Sequence, residues 1–357
     1  MEKAIDFIKR SMEQSPFTKT IVAYGWQDEY EHKLTSSVSK YLFEDFCVID
    51  NMTPLTNENR PGVKKQKFYV TVYDTGDADP THNAKFWSDT VKNEEWELGK
   101  YACSYQYVVG NDGTYQQIPD DEVAWHAGDT TKYDYHLYDS GITGCNNTPT
   151  ITISNDGYYE IDKVKSKILA PRAYIEKDGK VILDRLCLTS DINDQGVLCK
   201  LIDGKYYIGE TYFNTTYKKI ANRGGNNNSI GIESCVNKNT DIYYTWQKTA
   251  KLVANLLHNN NLTFDDIKQH HYYSGKDCPQ TIRRSNMWEY FLSLVKCEYE
   301  AVTLLNEGYK FKLITKSSNI LENGRIKGKK SFENELVQVE ILKDNKSVIL
   351  DFYVSLN

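Results

Sequence analysis

Strand-like runs and helical periods interleave within residues 60–130 and again within 225–297 of this 357-residue chain. That interleaving confines the core to an α/β (α+β) arrangement, a mixed sheet flanked by helices. Residues 67–73 are β-branched and aromatic and read as a strand, as do residues 104–109. Asn111-Asp112-Gly113 marks a hairpin turn into a partner strand over 114–118. Ser229-Ile230-Gly231-Ile232-Glu233 is a short buried strand. Ile242, Trp246, Thr249, Val253 and Leu256 then recur at helical spacing. His82 to Trp87 opens another helix, and Ser285 is placed to cap one that buries Trp288, Phe291, Leu292 and Val295.

The character changes after Trp125-His126-Ala127-Gly128. Residues 130–224 carry short β-like runs between Gly, Asn and Asp and no long helical period, which predicts a β-rich insertion. From about residue 300 the pattern alternates over 309–314, 336–342 and 348–354, a small C-terminal all-β module. The expected organisation is an N-terminal extension over 1–56, a central domain over 57–298 interrupted by the insertion, and the β module over 299–357.

Net charge is −6, so no basic field points to nucleic acid. No apolar run reaches the length of a membrane span. The stretch 1–17 reads as a short amphipathic helix rather than a signal peptide. The eight cysteines form no Cys-x-x-Cys pair and no tight spacing, which argues against a disulfide framework and a structural zinc knuckle. Tyrosine, at 27 copies, suits both carbohydrate-stacking surfaces and β-rich cores.

One segment carries distinctive chemistry. His270-His271-Tyr272-Tyr273-Ser274-Gly275-Lys276-Asp277-Cys278-Pro279 sets an imidazole and a thiol on a stretch that folds back at Gly and Pro. Imidazole and thiolate are preferred Zn²⁺ ligands, and a nearby lysine stabilises charge on a reacting oxygen. Two ligands do not complete a catalytic zinc site, which has three plus an open position. The bland reading is a surface loop holding a buried cysteine.

Gln269-His270-His271, Ser274 to Pro279, Ile230-Gly231-Ile232-Glu233, Asn59-Arg60-Pro61-Gly62 and Trp125 to Asp129 together resemble the zinc-dependent N-acetylmuramoyl-L-alanine amidases related to phage lysozyme and the peptidoglycan-recognition proteins. The likeness covers residues 57–130 and 225–297 and is nearest to amidase endolysins of phages that infect Gram-positive bacteria. It implies a zinc-bearing groove at the glycan–peptide junction of bacterial peptidoglycan. It also implies action at the cell wall after release from the cytoplasm or from a virion. His270 and Cys278 fall on two ligand positions. Glu233 falls on the general-base position, Lys276 on the position that stabilises the oxyanion, and Tyr105 on a tyrosine used by some members. His126 matches a groove histidine, with Trp125 and Asn228 placed beside it for substrate binding.

One position departs from the pattern. Where the resemblance puts a first ligand histidine, this chain has Tyr73-Asp74-Thr75-Gly76. Tyr73 ligating as a phenolate, a third ligand from Asp74, Asp77 or His126, and weak or absent zinc binding all stay open. So do three functions: a zinc hydrolase that frees stem peptides, a non-catalytic peptidoglycan-binding protein, and a structural phage or surface component.

Overall fold

The structure, a computed structural model, describes residues 1–24, 29–57, 59–93, 103–127, 137–146, 149–170, 173–177, 180–189, 197, 199–209, 225–274, 277–328 and 331–357. Helix α1 (Glu2–Ser11) comes first, then β1 (Thr18–Tyr24), β2 (Glu29–Thr35), β3 (Ile49–Asp50), β4 (Tyr69–Asp74), α2 (Ala84–Asn93), β5 (Tyr107–Gly110) and β6 (Gly113–Gln116). Eight insertion strands follow: β7 (Leu137–Thr143), β8 (Ile151–Ile153), β9 (Tyr158–Ile161), β10 (Val164–Leu169), β11 (Ala173–Lys177), β12 (Lys180–Arg185), β13 (Cys199–Ile202) and β14 (Lys205–Gly209). The chain then forms α3 (Gly225–Asn228), β15 (Ser229–Ser234), α4 (Ile242–Asn260), β16 (Ile267–Gln269), α5 (His271–Ser274), α6 (Gln280–Arg284) and α7 (Trp288–Asn306). It closes with β17 (Lys310–Thr315), β18 (Phe332–Lys343) and β19 (Lys346–Leu356).

A six-stranded mixed sheet in the order β16-β4-β15-β5-β6-β3 forms the centre. Strands β16, β4, β15 and β5 run parallel, and β6 turns back antiparallel to β5. Side chains alternate across a strand. Val70, Val72, Ile230 and Ile232 enter one apolar core with Trp246, Val253 and Leu257 of α4 and Phe291, Leu294 and Val295 of α7. The residues between them, Thr71, Tyr73, Gly231 and Glu233, take the opposite face. Thr71 there donates or accepts within a small polar cluster, its Oγ1 lying 2.8 Å from Ser229 Oγ and 3.0 Å from the Tyr273 hydroxyl.

The hairpin turn between β5 and β6 also starts the flanking helices. Asp112 accepts from the amides of Ala84 and Lys85 at 3.1 and 2.8 Å, covering the N-terminal donors of α2. Asn111 receives the Asp241 amide at 2.7 Å, and Asp241 caps α4 through the Tyr244 amide at 3.0 Å. The segment expected to be capped by Ser285 begins later: α7 starts at Trp288. Ser285 ends α6 instead, its hydroxyl donating to the Ile282 carbonyl at 3.0 Å, and Asn286 breaks the helix in a left-handed conformation with φ 57°.

The insertion is β-rich where described. Its two three-stranded sheets, β10-β9-β8 and β13-β14-β7, close on Tyr159, Ile161, Ile168, Tyr206 and Ile208. The three C-terminal strands form an antiparallel sheet, β17-β18-β19. Its inward residues Leu313, Val337, Val339 and Val354 share one apolar cluster with Ala4, Phe7 and Ile8 of α1 and with Ala301 and Leu304 of α7. The β1–β2 hairpin contributes Ile21, Ala23 and Leu34 to the central core. Among the described residues no helix is long and apolar enough to cross a membrane.

A buried ion pair joins the two long helices. Lys251 Nζ of α4 lies 2.9 Å from the Glu298 carboxylate of α7. Glu298 also accepts the Leu42 amide at 2.7 Å, and the lysine lies over the Tyr41 ring. Burial pushes the Glu298 carboxyl up, against the pull of Lys251 and the Leu42 amide. Removing one partner leaves the other charge buried and uncompensated. Lys251→Ala or Glu298→Ala should therefore each cost about 3–5 kcal/mol in urea unfolding, and the paired change Lys251→Met with Glu298→Leu should cost clearly less than either alone.

Candidate active site

The candidate site lies on the face of the sheet that carries Tyr73, Gly231 and Glu233. Tyr73 and Glu233 are direct neighbours in the parallel register of β4 and β15. The Tyr73 ring is fully buried, edge-on to His126 at 5.4 Å between centroids and tilted against His270 at 4.6 Å. Its hydroxyl sits 2.6 Å from His126 Nδ1. Burial drives the phenol well above its ordinary pKa, and the nearby Tyr273, Cys278 and Glu233 add to this. The same burial pushes the His126 imidazole down to about 3, helped by the neighbouring Lys67 ammonium. With both groups held neutral, one hydrogen bond joins the Tyr73 hydroxyl and His126 Nδ1, and the imidazole tautomer sets which of them donates.

His126 is fixed by its surroundings rather than by its own strand. Asn226 Oδ1 accepts the amides of His126 and Ala127 at 2.9 and 2.6 Å. Gly231 lies beneath the imidazole, where a Cβ would come within 2.9 Å of the ring. Gly225 lies beneath Ala127, where a Cβ would meet that methyl at 2.6 Å. The buried Lys67 ammonium reaches the carbonyls of Asn226 and Asn227 at 3.4 and 3.2 Å. Burial pulls that ammonium down to about 7.

The fold-back of 270–278 is present: the His271 amide donates to the Cys278 carbonyl at 3.0 Å. His270 follows β16 and Cys278 precedes α6; both side chains are buried. The Cys278 thiol lies 3.7 Å from Asp74 Oδ1. Asp74 accepts the amides of Gln280 and Thr281 at 2.9 and 2.8 Å, binding the end of β4 to the start of α6. Burial raises the Asp74 carboxyl, and the amides and the thiol draw it back.

The structure thus gathers Tyr73, His126, His270, Cys278 and Glu233 around one end of the parallel strands. Tyr105 is close enough to Glu233 for that carboxylate to raise its phenol further, although burial dominates; its hydroxyl donates to the Trp87 carbonyl at 3.3 Å. Trp125 exchanges hydrogen bonds with Ser104, its amide meeting the hydroxyl at 3.0 Å and its carbonyl accepting the Ser104 amide at 3.1 Å. Asn228 ends α3, its carbonyl receiving the Phe68 amide at 2.8 Å, so its backbone is a strap between β4 and β15. Lys276 lies outside the described residues.

As a zinc centre the donor set is right in kind and short in number. His270 and Cys278 supply an imidazole and a thiol, but among the described residues no three His, Cys, Asp or Glu side chains stand close enough to hold one metal ion. Residues that sequence reasoning did not single out carry the positioning: Asn226, Lys67, Gly231 and Gln106, whose side-chain carbonyl receives the Gly231 amide at 2.7 Å. Gly231 left a signal, since a glycine inside an apolar strand marks a close approach.

Residues 65–171 match the family described as N-acetylmuramoyl-L-alanine amidase. The match includes Tyr73, Tyr105 and His126 and ends before Glu233, His270 and Cys278. Over 94 residues the chain is 34% identical to the N-acetylmuramoyl-L-alanine amidase CwlH of Bacillus subtilis (strain 168), covering 26% of this chain and 36% of that protein. Over 244 residues it is 19% identical to the amidase XlyA of the same organism, covering 68% of this chain and 49% of XlyA. The chain therefore spans half or less of the length of these curated relatives. The solved catalytic domain of XlyA aligns with 70% of this chain and 99% of its own, with 18% identity and a TM-score of 0.39.

Two tests follow from the geometry. Gly231→Ala should displace the His126 ring and cost about 1–3 kcal/mol in chemical unfolding. His126 has its folded pKa near 3 against 6.5 for the free side chain, so the unfolded chain binds the extra proton between those values. The stability it contributes is present above about pH 6.5 and is lost as pH falls towards 3. The pH dependence of the unfolding midpoint should accordingly be shallower in His126→Gln than in the parent across that window; identical slopes would refute the assignment.

Proposed function

We propose that this chain, in which residues 65–171 carry a segment of the N-acetylmuramoyl-L-alanine amidase family, is a peptidoglycan hydrolase that cleaves the amide between N-acetylmuramic acid and the L-alanine of the stem peptide. The observation that carries this reading is the meeting of two distant segments. Tyr73, Tyr105 and His126 come from the matched stretch, and Glu233, His270 and Cys278 from beyond the insertion. Convergence of such groups at the ends of parallel strands is where α/β sheets place ligands.

The roles follow from the surroundings. Glu233 is partly buried near the end of a buried strand and takes a proton from the attacking water, then delivers it to the leaving amine. His270 and Cys278 are the side chains that would hold zinc. Zinc, when bound, polarises the lactyl carbonyl and makes water acidic enough to attack near neutral pH. Tyr73 keeps its proton and, with His126, forms a fixed polar wall beside that position. Lys276 is assigned the stabilisation of the oxyanion, and Tyr105, Trp125, His126 and Asn228 the lining of the substrate groove. The substrate is bacterial peptidoglycan and the site of action is the cell wall. The insertion leaves the groove after His126 and returns at Gly225, so its role is to extend the groove wall.

A binding-only function is the second reading, and the exchange of a ligand histidine for Tyr73 favours it. Incubation with purified peptidoglycan and mass spectrometry of the soluble fraction separates the two. Release of free stem peptides beginning with L-alanine, lowered on the order of 100-fold or more by Glu233→Gln, is the expected result. Sedimentation with peptidoglycan without any release would leave a recognition protein.

A further inference from the structure

The strongest unresolved feature is the third ligand. Among the described residues no third His, Cys, Asp or Glu side chain joins His270 and Cys278 at a metal-holding distance. The named candidates are engaged elsewhere, save for His126 Nε2, which has no hydrogen-bond partner. Asp74 has its two oxygens on the Gln280 and Thr281 amides, at 2.9 and 2.8 Å, with the Cys278 thiol also against it. Asp77 pairs with His82 Nδ1 at 2.6 Å and accepts the Asp79 amide at 2.8 Å. His126 Nδ1 and the Tyr73 hydroxyl face each other at 2.6 Å. His126 is itself held from behind, by Asn226 at its amide and by Gly231 beneath its ring.

We infer that this chain holds zinc with two protein side chains, His270 and Cys278, and therefore loosely, because the Tyr73–His126 pair closes on itself at the position where a third ligand would sit. A catalytic zinc normally has three protein ligands, and a site with two loses metal readily on dilution. The consequence is a metal that exchanges with the medium rather than a resident cofactor. Tyr73 is the position that sets this, since histidine there would restore a neutral nitrogen acceptor at the end of β4. The inference rests on the amidase reading only in taking His270 and Cys278 as the metal-binding pair.

The experiment uses the full chain, stripped by a chelator, dialysed, and titrated with Zn²⁺ alone against a chromophoric competitor and with Co²⁺ alone by absorption spectroscopy. The parent should lose zinc on gel filtration. Tyr73→His should retain it and bind more tightly by more than about 100-fold, at least the loss seen when lesser supports of a metal site are removed. With Co²⁺, Tyr73→His should show tetrahedral visible bands and a thiolate band that disappears when Cys278→Ser is added. Tyr73→Phe keeps the ring and should leave zinc affinity unchanged, which decides the matter should Tyr73→His fail to fold. Stoichiometric zinc retained by the parent, no tightening in a folded Tyr73→His, or weaker zinc in Tyr73→Phe would each overturn the inference. Peptidoglycan cleavage is read separately, so a chain that shows this metal behaviour but neither binds nor cuts peptidoglycan overturns the amidase reading alone.

Discussion

The side-chain carbonyl of Asn226 is the contact on which the site depends. It accepts two consecutive amides, those of His126 and Ala127, from a segment a hundred residues earlier in the chain. Those amides belong to the last described residues before the insertion, and Asn226 to the first after it. The oxygen therefore closes the neck of the insertion. Buried backbone donors need partners, and without this acceptor two would be stranded in the interior. Gly225 brings the strands of the neck into contact by offering no Cβ to Ala127, and Lys67 covers the carbonyls that the turn of α3 leaves over. With the neck fixed, the β-rich segment folds on its own apolar cluster and the sheet closes as if the chain were continuous.

The same clamp sets the chemistry. It places His126 over β15, where Gly231 makes room, and so presents Nδ1 to the tyrosine on β4. Alternation along β4 and β15 does the rest. Every second residue goes to the helices α4 and α7, which leaves Tyr73 and Glu233 in register on the other face. The hairpin turn at Asn111-Asp112 stabilises both layers by covering the first amides of α2 and bracing the cap of α4.

Much of this was legible in the sequence because it is periodic or local. The runs at 67–73 and 229–233, the turn at 111–113 and the helix from Ile242 each declare themselves through spacing, and the structure has them within a few residues. The fold-back from His270 to Cys278 was legible from Gly and Pro. What was not legible is long-range. Strand β16 has three residues, too few for any period, and owes its existence to pairing with β4. Phe7 and Ile8 meet Val337 and Val354 across nearly the whole chain, a contact that no local pattern encodes. Ser285 looked like a cap and is an end, because Asn286 next to it takes the left-handed conformation. The absence of histidine at position 73 was plain, but its partner was not. The pairing with His126 depends on Asn226, which stands in a run of three asparagines with nothing to distinguish it.

Tyrosine at position 73 changes the sense of the site more than its shape. A phenol and an imidazole are both planar and end in a polar atom, and the phenol of Tyr73 fills the buried slot between His126 and His270. The difference lies in what the tip offers. A neutral imidazole presents a lone pair to a metal, whereas a phenol buried this deeply keeps its proton, because ionising it would place a charge in a poorly solvated interior. The neutral phenol shares its hydrogen bond with His126 Nδ1 at 2.6 Å. The tyrosine tip is therefore engaged within the protein by His126, beside Glu233, His270 and Cys278. Beside it the site keeps a carboxylate, an imidazole and a thiol, Glu233, His270 and Cys278, and the side chain at position 73 decides whether a further metal-binding atom stands with them.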